Sequence, residues 1–176
     1  MKTLIVVDMQ NDFIDGALGT PEAKAIVPNV KKKIEEYREN DYEIIFTRDT
    51  HGPDYLNTQE GKCLPVKHCI KYSNGWNIHE EVKPDLTRKL LKETIVNKNT
   101  FGQLKLGEFF DELPDEIELV GLCTDICVIS NAMILKATYP EIPIVVDASC
   151  CAGVTPESHK NALEAMKMCQ IEIRGE

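Results

Sequence analysis

Short, continuously apolar runs recur along this chain and alternate with helical patterns. The first, Leu4-Ile5-Val6-Val7, has no polar residue at alternate positions, so a strand formed there must be covered on both faces. A parallel sheet with helices on both sides provides that cover. The sequence therefore predicts an α/β fold, a three-layer, doubly wound (Rossmann-like), mostly parallel six-stranded sheet with helices on both faces. The predicted strands are Thr3–Val7, Glu43–Thr47, Thr94–Val96, Ile117–Leu122, Ile144–Val146 and Ile171–Ile173.

Helical periodicity predicts helices between these strands. In Glu22–Asn40 the apolar residues share one face, and Pro28 suggests that the regular helix begins close to that residue, in its first turn. The last helix is predicted over Pro156–Cys169, with Thr155 as its N-cap and the proline in the first position. Further helices are predicted at Asp85–Leu91, at Leu104–Leu113 and from about Thr124 to Ala137.

One stretch breaks the alternation of strands and helices. Residues Asp49 to Ile78 are polar and rich in Gly, Pro, His, Asn and Cys, and no regular element is predicted there. A loop of that length in a compact domain is usually functional or disordered, and its aromatic and histidine residues favour a functional loop. No repeat or linker divides the sequence, so residues 1–176 are predicted to form a single domain.

Composition narrows the class of function and the compartment. A net charge of −9 argues against nucleic acid or an anionic membrane surface as a partner, and no apolar run is long enough to span a bilayer. Asp8 interrupts the first apolar run too early for a signal peptide, which predicts a cytoplasmic protein. The seven cysteines form no Cys-x-x-Cys pair, so reduced thiols are expected rather than a disulfide framework, a zinc ribbon or a thioredoxin-type site.

Reactive side chains follow four of the predicted strands. In an open α/β sheet, ligands bind beyond the carboxyl ends of the strands where the strand order reverses, usually between the first and fourth strands. Strand one ends in Asp8, and strand four leads into the turn that carries Cys127. Strand three ends in Lys98, and strand two ends in Asp49 and His51. We therefore expect an acid, a thiol, a cation and a metal-type pair at one edge of the sheet.

Each of these residues has an ordinary role and a reactive one. Cys127 is either a small buried core residue or a nucleophile whose pKa is lowered by the helix N-terminus beside it. Asp8 is either a turn residue or a partly buried base that takes the thiol proton and later delivers it to a leaving amine. Lys98 is either a solvated charge or the cation that keeps the carboxylate and the thiolate ionised.

Four segments, in order along the chain, resemble the isochorismatase-like cysteine hydrolases and, within them, the nicotinamidase branch. They are Asp8-Met9-Gln10-Asn11-Asp12-Phe13, Thr47-Arg48-Asp49-Thr50-His51, the Val-x-Lys segment ending at Lys98, and Gly121-Leu122-Cys123-Thr124-Asp125-Ile126-Cys127-Val128. The resemblance covers nearly the whole chain. It implies a catalytic triad of Asp8, Lys98 and Cys127 and a cis peptide bond between Leu122 and Cys123. It also implies an oxyanion hole formed by the backbone N–H groups of Cys123 and Cys127.

The resemblance also implies a divalent metal, often zinc in nicotinamidases, that binds the pyridine nitrogen of the substrate. Asp49, His51 and His68 match the family's ligand pattern. The fourth ligand in the family is often a histidine between the last two, and this chain has none there, so Glu60 or, as the weaker alternative, Asp54 takes its place. Carboxylate and imidazole ligands suit zinc, iron or manganese.

The family's substrate pocket sandwiches a flat aromatic amide. The resemblance assigns its walls to Phe13 and Trp76, together with Leu122 next to the nucleophile turn, whereas the ordinary role of such aromatic residues is core packing. The segment Lys71-Tyr72-Ser73-Asn74-Gly75-Trp76 departs from the Gly-Thr pair that many relatives carry before Gly-Trp. This departure alters the pocket rim, so the substrate is less firmly implied than the chemistry.

The function predicted from these residues is hydrolysis of nicotinamide to nicotinate and ammonia through a thioester on Cys127, by an enzyme that, like its relatives, is a dimer or larger homo-oligomer. Three alternatives stay open. A related amidohydrolase acting on a carbamoyl or ureido compound would keep the triad without needing the metal. An isochorismatase proper cleaves a vinyl ether and need not use the cysteine. A non-enzymatic metal-binding or redox-sensing module would use the thiols of Cys123, Cys127, Cys150 and Cys151.

Overall fold

The computed structural model describes residues 1–87 and 92–176. Its strands are β1 (Lys2–Val7), β2 (Glu43–Asp49), β3 (Glu93–Lys98), β4 (Glu116–Leu122), β5 (Ile144–Ala152) and β6 (Glu172–Arg174). Its α-helices are α1 (Asn11–Ile14), α2 (Pro21–Glu39), α3 (Gln59–Cys63), α4 (Ile129–Thr138) and α5 (Pro156–Met168). Short 3-10 helices cover Tyr55–Asn57, Glu80–Val82 and Leu106–Phe109, and a π turn covers Thr124–Val128.

The six strands form one sheet in the order β3-β2-β1-β4-β5-β6, and every neighbouring pair is parallel. The order reverses between β1 and β4, where Val7 pairs with Gly121. Both faces of β1 are buried: Leu4 and Val6 pack with α2, whereas Ile5 and Val7 belong to the core beneath α4 and α5. This sheet confirms the prediction of a doubly wound six-stranded sheet. The prediction succeeded because continuously apolar strands require cover on both faces.

Helix α2 begins earlier than the sequence analysis predicted. The Thr20 hydroxyl accepts a hydrogen bond from the backbone N–H of Ala23 at 3.0 Å, and Pro21 occupies the first helical position. Pro28 therefore lies well inside the helix, and the prediction that the regular helix starts beside it was wrong. A buried apolar face offsets the one backbone hydrogen bond that an interior proline removes. That face consists of Ala23, Ile26, Val27, Val30, Ile34 and Tyr37.

The remaining helix predictions had mixed outcomes. Helix α5 with its Thr155 cap is confirmed, and the helix predicted from Thr124 is present as the π turn followed by α4. The helix predicted over Leu104–Leu113 is wrong in length, because only Leu106–Phe109 forms a 3-10 helix and both end leucines are exposed. Of the helix predicted over Asp85–Leu91, residues 85–87 are not helical, and residues 88–91 lie outside the described residues.

The long polar segment is more structured than predicted. Within Asp49 to Ile78, the 3-10 helix Tyr55–Asn57 leads into α3, whose N-cap Thr58 accepts a hydrogen bond from the backbone N–H of Gly61 at 3.0 Å. A bridge between His51 and Ile70 closes the segment back onto the end of β2. The prediction of no regular element there was wrong, since capping can stabilise helices too short to show periodicity.

No helix among the described residues is long and apolar enough to cross a membrane.

Gly121 pairs with Val7 across β4 and β1. We expect a Gly121→Ala variant to be destabilised by more than about 3 kcal/mol. Its φ of +117° lies outside the range that L side chains favour, and an added Cβ would lie 2.1 Å from the Val7 carbonyl oxygen. Denaturant unfolding measures the loss. A Gly52→Ala variant is the control, because the Cβ there would meet only the end of the Asp54 side chain. Equal stability of the two variants would contradict this prediction.

Candidate active site

The carboxyl ends of β1, β3 and β4 bring the three reactive side chains together. Lys98 Nζ lies 2.6 Å from Asp8 Oδ2 and 3.5 Å from Cys127 Sγ, so the ammonium stands between the carboxylate and the thiol. All three side chains are buried, and Asp8 is fully enclosed. Lys98 therefore contacts both Asp8 and Cys127, the two residues with which the resemblance groups it as a triad.

Asp8 is held in an unusual position at the end of β1. Its φ of +47° is in the left-handed region, which aspartate tolerates better than most residues. The Thr47 hydroxyl donates to Asp8 Oδ1 at 2.7 Å and accepts from the Asp8 backbone N–H at 3.2 Å. Burial raises the pKa of Asp8, and the Lys98 charge opposes that rise. A carboxyl group with a raised pKa in contact with this cluster can carry a proton during a reaction.

The pKa of Cys127 departs from what the sequence predicted. Burial and the Asp8 charge raise the pKa of Cys127 well above its ordinary value, and Lys98 opposes them only in part. Proximity to a helix N-terminus was expected to lower it, and the burial of the side chain outweighs that effect. Burial likewise opposes the charge on Lys98, but the Asp8 carboxylate and Cys127 outweigh it and raise the pKa of Lys98. The resting site thus holds a thiol and an ammonium, and the thiol needs a base to react.

The π turn Thr124–Val128 presents Cys127 to the site. The peptide bond between Leu122 and Cys123 is cis, as the resemblance implied. The Cys123 carbonyl then accepts hydrogen bonds from the backbone N–H groups of Ile126 at 3.1 Å and Val128 at 3.0 Å. Asn131 on α4 donates from its side-chain amide to the Cys127 carbonyl at 2.8 Å. These bonds fix the backbone on both sides of the thiol.

Four potential metal ligands gather beside this triad. The ligand atoms of Asp49, His51, Glu60 and His68 all lie within 4.8 Å of one another. His51 Nε2 is 3.5 Å and His68 Nε2 is 3.6 Å from Glu60 Oε1. The alternative ligand Asp54 is exposed and does not belong to this group. Helix α3, which the sequence did not reveal, is the element that carries Glu60 to the two histidines.

The hydrogen bonding of the two histidines fits a metal better than an ordinary polar cluster. His51 Nε2 is buried and makes no hydrogen bond, although Asp49 Oδ2 lies 2.9 Å away. A buried nitrogen without a hydrogen bond is costly unless a ligand occupies its lone pair. His68 Nδ1 lies 2.8 Å from the Val66 carbonyl, so it carries the ring proton and leaves Nε2 free to ligate. Two imidazoles and two carboxylates form a donor set suited to zinc, iron or manganese.

A cavity of about 240 Å³ opens onto both groups. Its lining includes Cys127 and Leu122 together with three of the potential metal ligands, Asp49, Glu60 and His68. The other lining residues are mostly apolar: Phe13, Leu18, Thr20, Ala23, Leu64, Phe101, Cys123, Ile126, Gly153 and Val154. A larger depression of about 550 Å³ lies elsewhere, lined by polar residues such as Arg48, Asn77 and His79, and it contacts neither the triad nor the four ligands. The smaller cavity is therefore the candidate substrate pocket.

The two predicted aromatic walls have different outcomes. Phe13 lines the cavity and packs against His68, with 5.5 Å between the ring centroids. Trp76 does not belong to the lining, contrary to the assignment made from the resemblance. Its indole N–H donates to the Thr50 hydroxyl at 2.8 Å, and the Arg48 guanidinium lies 3.4 Å from the ring centroid. These two contacts engage the Trp76 indole with the end of β2, and Trp76 is not among the residues that line the substrate pocket.

Two supporting residues escaped the sequence analysis. Thr47 bonds to Asp8, as described above, and Gln10 braces the end of β2. Gln10 Oε1 accepts from the Asp49 backbone N–H at 2.7 Å, and its amide group donates to the carbonyls of Asp49 and Trp76, both at 2.9 Å. Both residues are buried polar side chains inside motifs that the sequence analysis quoted. Their position within those motifs was the available signal.

The sequence and the fold of this chain are similar to those of several known proteins. A model of the isochorismatase domain matches residues 2–174. The nicotinamidase of Saccharomyces cerevisiae is 24% identical, over 98% of this chain and 99% of the yeast protein. The structure of a pyrazinamidase of Pyrococcus horikoshii in complex with zinc is 26% identical, with a TM-score of 0.78 over 98% of this chain and 97% of that one. An N-carbamoylsarcosine amidase from Thermoplasma acidophilum is also 26% identical, with a TM-score of 0.81 over 98% and 95% of the two chains.

Proposed function

This chain belongs to the isochorismatase family and is a hydrolase of C–N amide bonds, and from that premise we propose that its substrate is nicotinamide. The observation that carries the proposal is one small cavity lined by both functional groups. The lining contains a thiol in contact with the Lys98–Asp8 pair and three of the four potential metal ligands. A flat amide with a ring nitrogen can meet both groups at once.

The first half of the proposed reaction forms a thioester on Cys127. Asp8 takes the thiol proton, and the thiolate attacks the amide carbonyl carbon. The charge that develops on the carbonyl oxygen is stabilised by the backbone N–H groups of Cys123 and Cys127, while Lys98 offsets the negative charge passed between thiol and carboxylate. Asp8 then returns the proton to the amide nitrogen, the C–N bond breaks, and ammonia leaves.

The second half reuses the same residues on water. Asp8 is again ionised once ammonia has left with the proton, so it can deprotonate a water molecule near the thioester carbonyl. The hydroxide adds to the carbonyl carbon, the same two backbone N–H groups hold the oxyanion, and the C–S bond breaks. Cys127 recovers its proton from Asp8, and nicotinate is released. The raised pKa of Asp8 suits a group that accepts and returns a proton twice in each cycle.

Substrate orientation is the role proposed for the four ligand residues. When Asp49, His51, Glu60 and His68 hold a divalent cation, zinc or else iron or manganese, it supplies a positive centre that can bind the pyridine nitrogen. Phe13 and Leu122 pack against the ring, and Leu64 and Phe101 exclude water from the apolar part of the cavity. The chain itself thus fixes the carbonyl carbon relative to Cys127.

The direct test is ammonia release from nicotinamide by the purified protein, with zinc, manganese or iron supplied and the metal content measured on the same sample. Turnover of nicotinamide in preference to other small amides is the expected result. Absence of turnover on nicotinamide, together with turnover of another amide, would overturn the substrate while leaving the hydrolase assignment intact.

A carbamoyl or ureido substrate is the second candidate, because the similarity to the N-carbamoylsarcosine amidase is as extensive as that to the pyrazinamidase. The metal-type cluster argues against it, since attack on a ureido carbonyl does not require a ring nitrogen to be bound. A panel containing nicotinamide, pyrazinamide and an N-carbamoyl amino acid separates the two candidates. Faster hydrolysis of the carbamoyl compound by metal-free protein would favour the second.

Metal removal is expected to reduce turnover of nicotinamide sharply. Dialysis against a chelator should lower kcat/KM by at least about 100-fold, because the ring nitrogen loses its binding partner, and added zinc or manganese should restore it. A Glu60→Gln variant should bind metal more weakly, whereas Asp54→Asn, outside the cluster, should not. Metal content by mass spectrometry and ammonia release are the measurements. Full activity in chelated, metal-free protein would contradict the proposed orientation.

The pH dependence of kcat/KM should report Asp8. Asp8 must be ionised to take the thiol proton, so kcat/KM is expected to fall as the pH drops through its pKa. Because burial raises that pKa, the decline should begin at a higher pH than for an exposed aspartate, whose pKa is 3.8. The hydrogen bond from the Thr47 hydroxyl lowers the pKa of Asp8. A Thr47→Val variant loses that bond, so its decline in kcat/KM should occur at still higher pH. An unshifted profile would argue against Asp8 as the base.

The redox-sensing alternative has little support in the thiols themselves. All seven cysteines are free, which is consistent with the proposed cytoplasmic location. Burial raises the pKa of Cys150 and of Cys123 to about 12 in each case, and that of Cys151 further, so these thiols are protonated and unreactive at neutral pH. We propose no sensing role for them.

A homo-oligomer remains our proposal for the assembly, and sedimentation of the purified protein tests it.

A further inference from the structure

One histidine outside the metal-type cluster contacts the turn that carries the nucleophile. His159 is the fourth residue of α5, and its Nδ1 is 2.7 Å from the hydroxyl of Thr124, a fully buried residue. Thr124 begins the π turn, and its carbonyl accepts the backbone N–H of Ile129 at the end of that turn. The Thr124 side chain is therefore tied to α5 while its backbone holds the turn together.

The same end of α5 also contacts two residues that line the cavity. Gly153 and Val154 line the cavity, and a Cβ on Gly153 would lie within 3 Å of His159 backbone and side-chain atoms, so the two segments are in close contact. Asp125, the second residue of the π turn, accepts the backbone N–H of Val154 through both carboxylate oxygens, at 3.1 and 3.2 Å. The π turn is thus joined to residues 153–154 directly, through Asp125 and Val154, and indirectly, through His159, which is close to both Thr124 and Gly153.

We propose that His159 is a positioning residue for the proposed hydrolysis, acting through Thr124 to hold Cys127 at its attacking position. Neither His159 nor Thr124 lines the cavity, so neither contacts the substrate. Burial lowers the pKa of His159, whereas Asp125 and Glu176 act in the opposite direction, and a neutral imidazole at neutral pH can pair with the hydroxyl in either tautomer. Since attack on a carbonyl depends on sub-ångström alignment, a loosened turn should slow the chemical step more than it weakens binding.

The inference rests on the proposed role of Cys127, and its first measurement is turnover of nicotinamide by the metal-loaded protein. His159→Ala is expected to lower kcat by about tenfold to 100-fold with KM changed by less than about threefold. His159→Asn, which can place an amide group near the position of Nδ1, should recover most of the loss, and Thr124→Ser should retain activity where Thr124→Val does not. In the double variant Thr124→Val/His159→Ala, the losses should not add, because both changes remove the same hydrogen bond. His79→Ala, which changes a histidine away from the cavity, is the control.

Hydrogen exchange gives a readout that does not depend on the substrate. The backbone amides of Ile126, Val128 and Ile129 should exchange at least about tenfold faster in His159→Ala than in the wild type, with the central strands unchanged. Faster exchange in protein that does not hydrolyse nicotinamide would overturn the proposed substrate but support the positioning role. Unchanged exchange and unchanged kcat would overturn the inference. So would a uniform rise in exchange across the chain, because His159 would then be supporting the whole fold rather than this turn.

Discussion

Replacing Cys127 with serine is expected to lower kcat on nicotinamide by about 10⁴-fold while the protein stays folded. A serine hydroxyl is far less acidic than a thiol, and Asp8, whose pKa is raised but still that of a carboxyl group, is too weak a base to ionise it. The Cys127 side chain is nearly fully enclosed, and serine is smaller, so the substitution introduces no overlap. Ammonia release measures the loss, and thermal unfolding shows whether the fold is retained.

Cys123→Ser is the matched control for that experiment. Cys123 lines the same cavity four residues earlier, but in the proposed mechanism only its backbone N–H takes part. This variant should keep kcat within about threefold of the wild type, and mass spectrometry of the quenched reaction should find the acyl group on the peptide containing Cys127 alone. If Cys127→Ser kept kcat as close to the wild type as Cys123→Ser does, a thioester on Cys127 would be excluded.

The sheet and the strand ends could be predicted from the sequence because they depend on local patterns with general consequences. Apolar runs covered on both faces require a parallel sheet, and the doubly wound strand order then brings the ends of β1 and β4 together. Asp8 and Cys127 had to meet once those two strands were neighbours. Lys98 followed from its position at the end of β3, two strands away from β1, where only a long side chain can reach Asp8.

The features that sequence reasoning missed depend on side-chain direction and on capping. The start of α2 was misjudged because Pro28 was taken to lie in the first turn, whereas the Thr20 cap and Pro21 fix that turn. The position of Trp76 depends on Arg48 and Thr50 at the end of β2, and no local pattern indicates that an indole makes those contacts instead of lining the pocket. Glu60 was preferred over Asp54 from the sequence, but α3, which carries Glu60 to the histidines, is too short for periodicity to detect.

The raised pKa of Cys127 also lay beyond sequence reasoning. A helix N-terminus is visible in the sequence, but the degree of burial is a property of the assembled core. In the proposed mechanism, burial of the thiol makes Asp8 essential as a base rather than merely helpful, because burial raises the pKa of Cys127 well above its ordinary value. Burial of Asp8 in turn makes Lys98 essential, since a fully enclosed carboxylate needs a counter-ion. The three residues thus depend on one another for charge as well as for chemistry.

That dependence predicts a large loss of stability when Lys98 is replaced by methionine. The variant leaves the fully buried Asp8 without its cation and Asp49 without a neighbouring charge 3.5 Å away. We expect the free energy of unfolding at pH 7 to fall by about 3–5 kcal/mol, together with loss of detectable turnover. Denaturant unfolding of the metal-free protein measures the first effect, and ammonia release measures the second.

The pH dependence of this loss follows from the sign of the Asp8 shift. Without Lys98, the pKa of Asp8 in the folded state rises further above its value in the unfolded chain, so the folded state binds the proton more tightly. Stability should therefore decrease as the pH rises above the unfolded pKa of about 3.9, and the deficit relative to the wild type should be smallest at low pH. A deficit independent of pH between 4 and 8 would mean that lost packing of the lysine chain, rather than the unpaired charge, destabilises the variant.

The double variant Asp8→Asn/Lys98→Met separates charge pairing from catalysis. Removing both partners eliminates the uncompensated charge, and replacement of a buried ion pair by neutral side chains of similar volume is often neutral for stability or better. The double variant should therefore regain most of the stability lost by Lys98→Met and stay inactive, since neither base nor cation remains. Stability as low as that of Lys98→Met would show that the contacts of these two residues with Thr47 and Thr100, and not their mutual charge, hold this end of the sheet together.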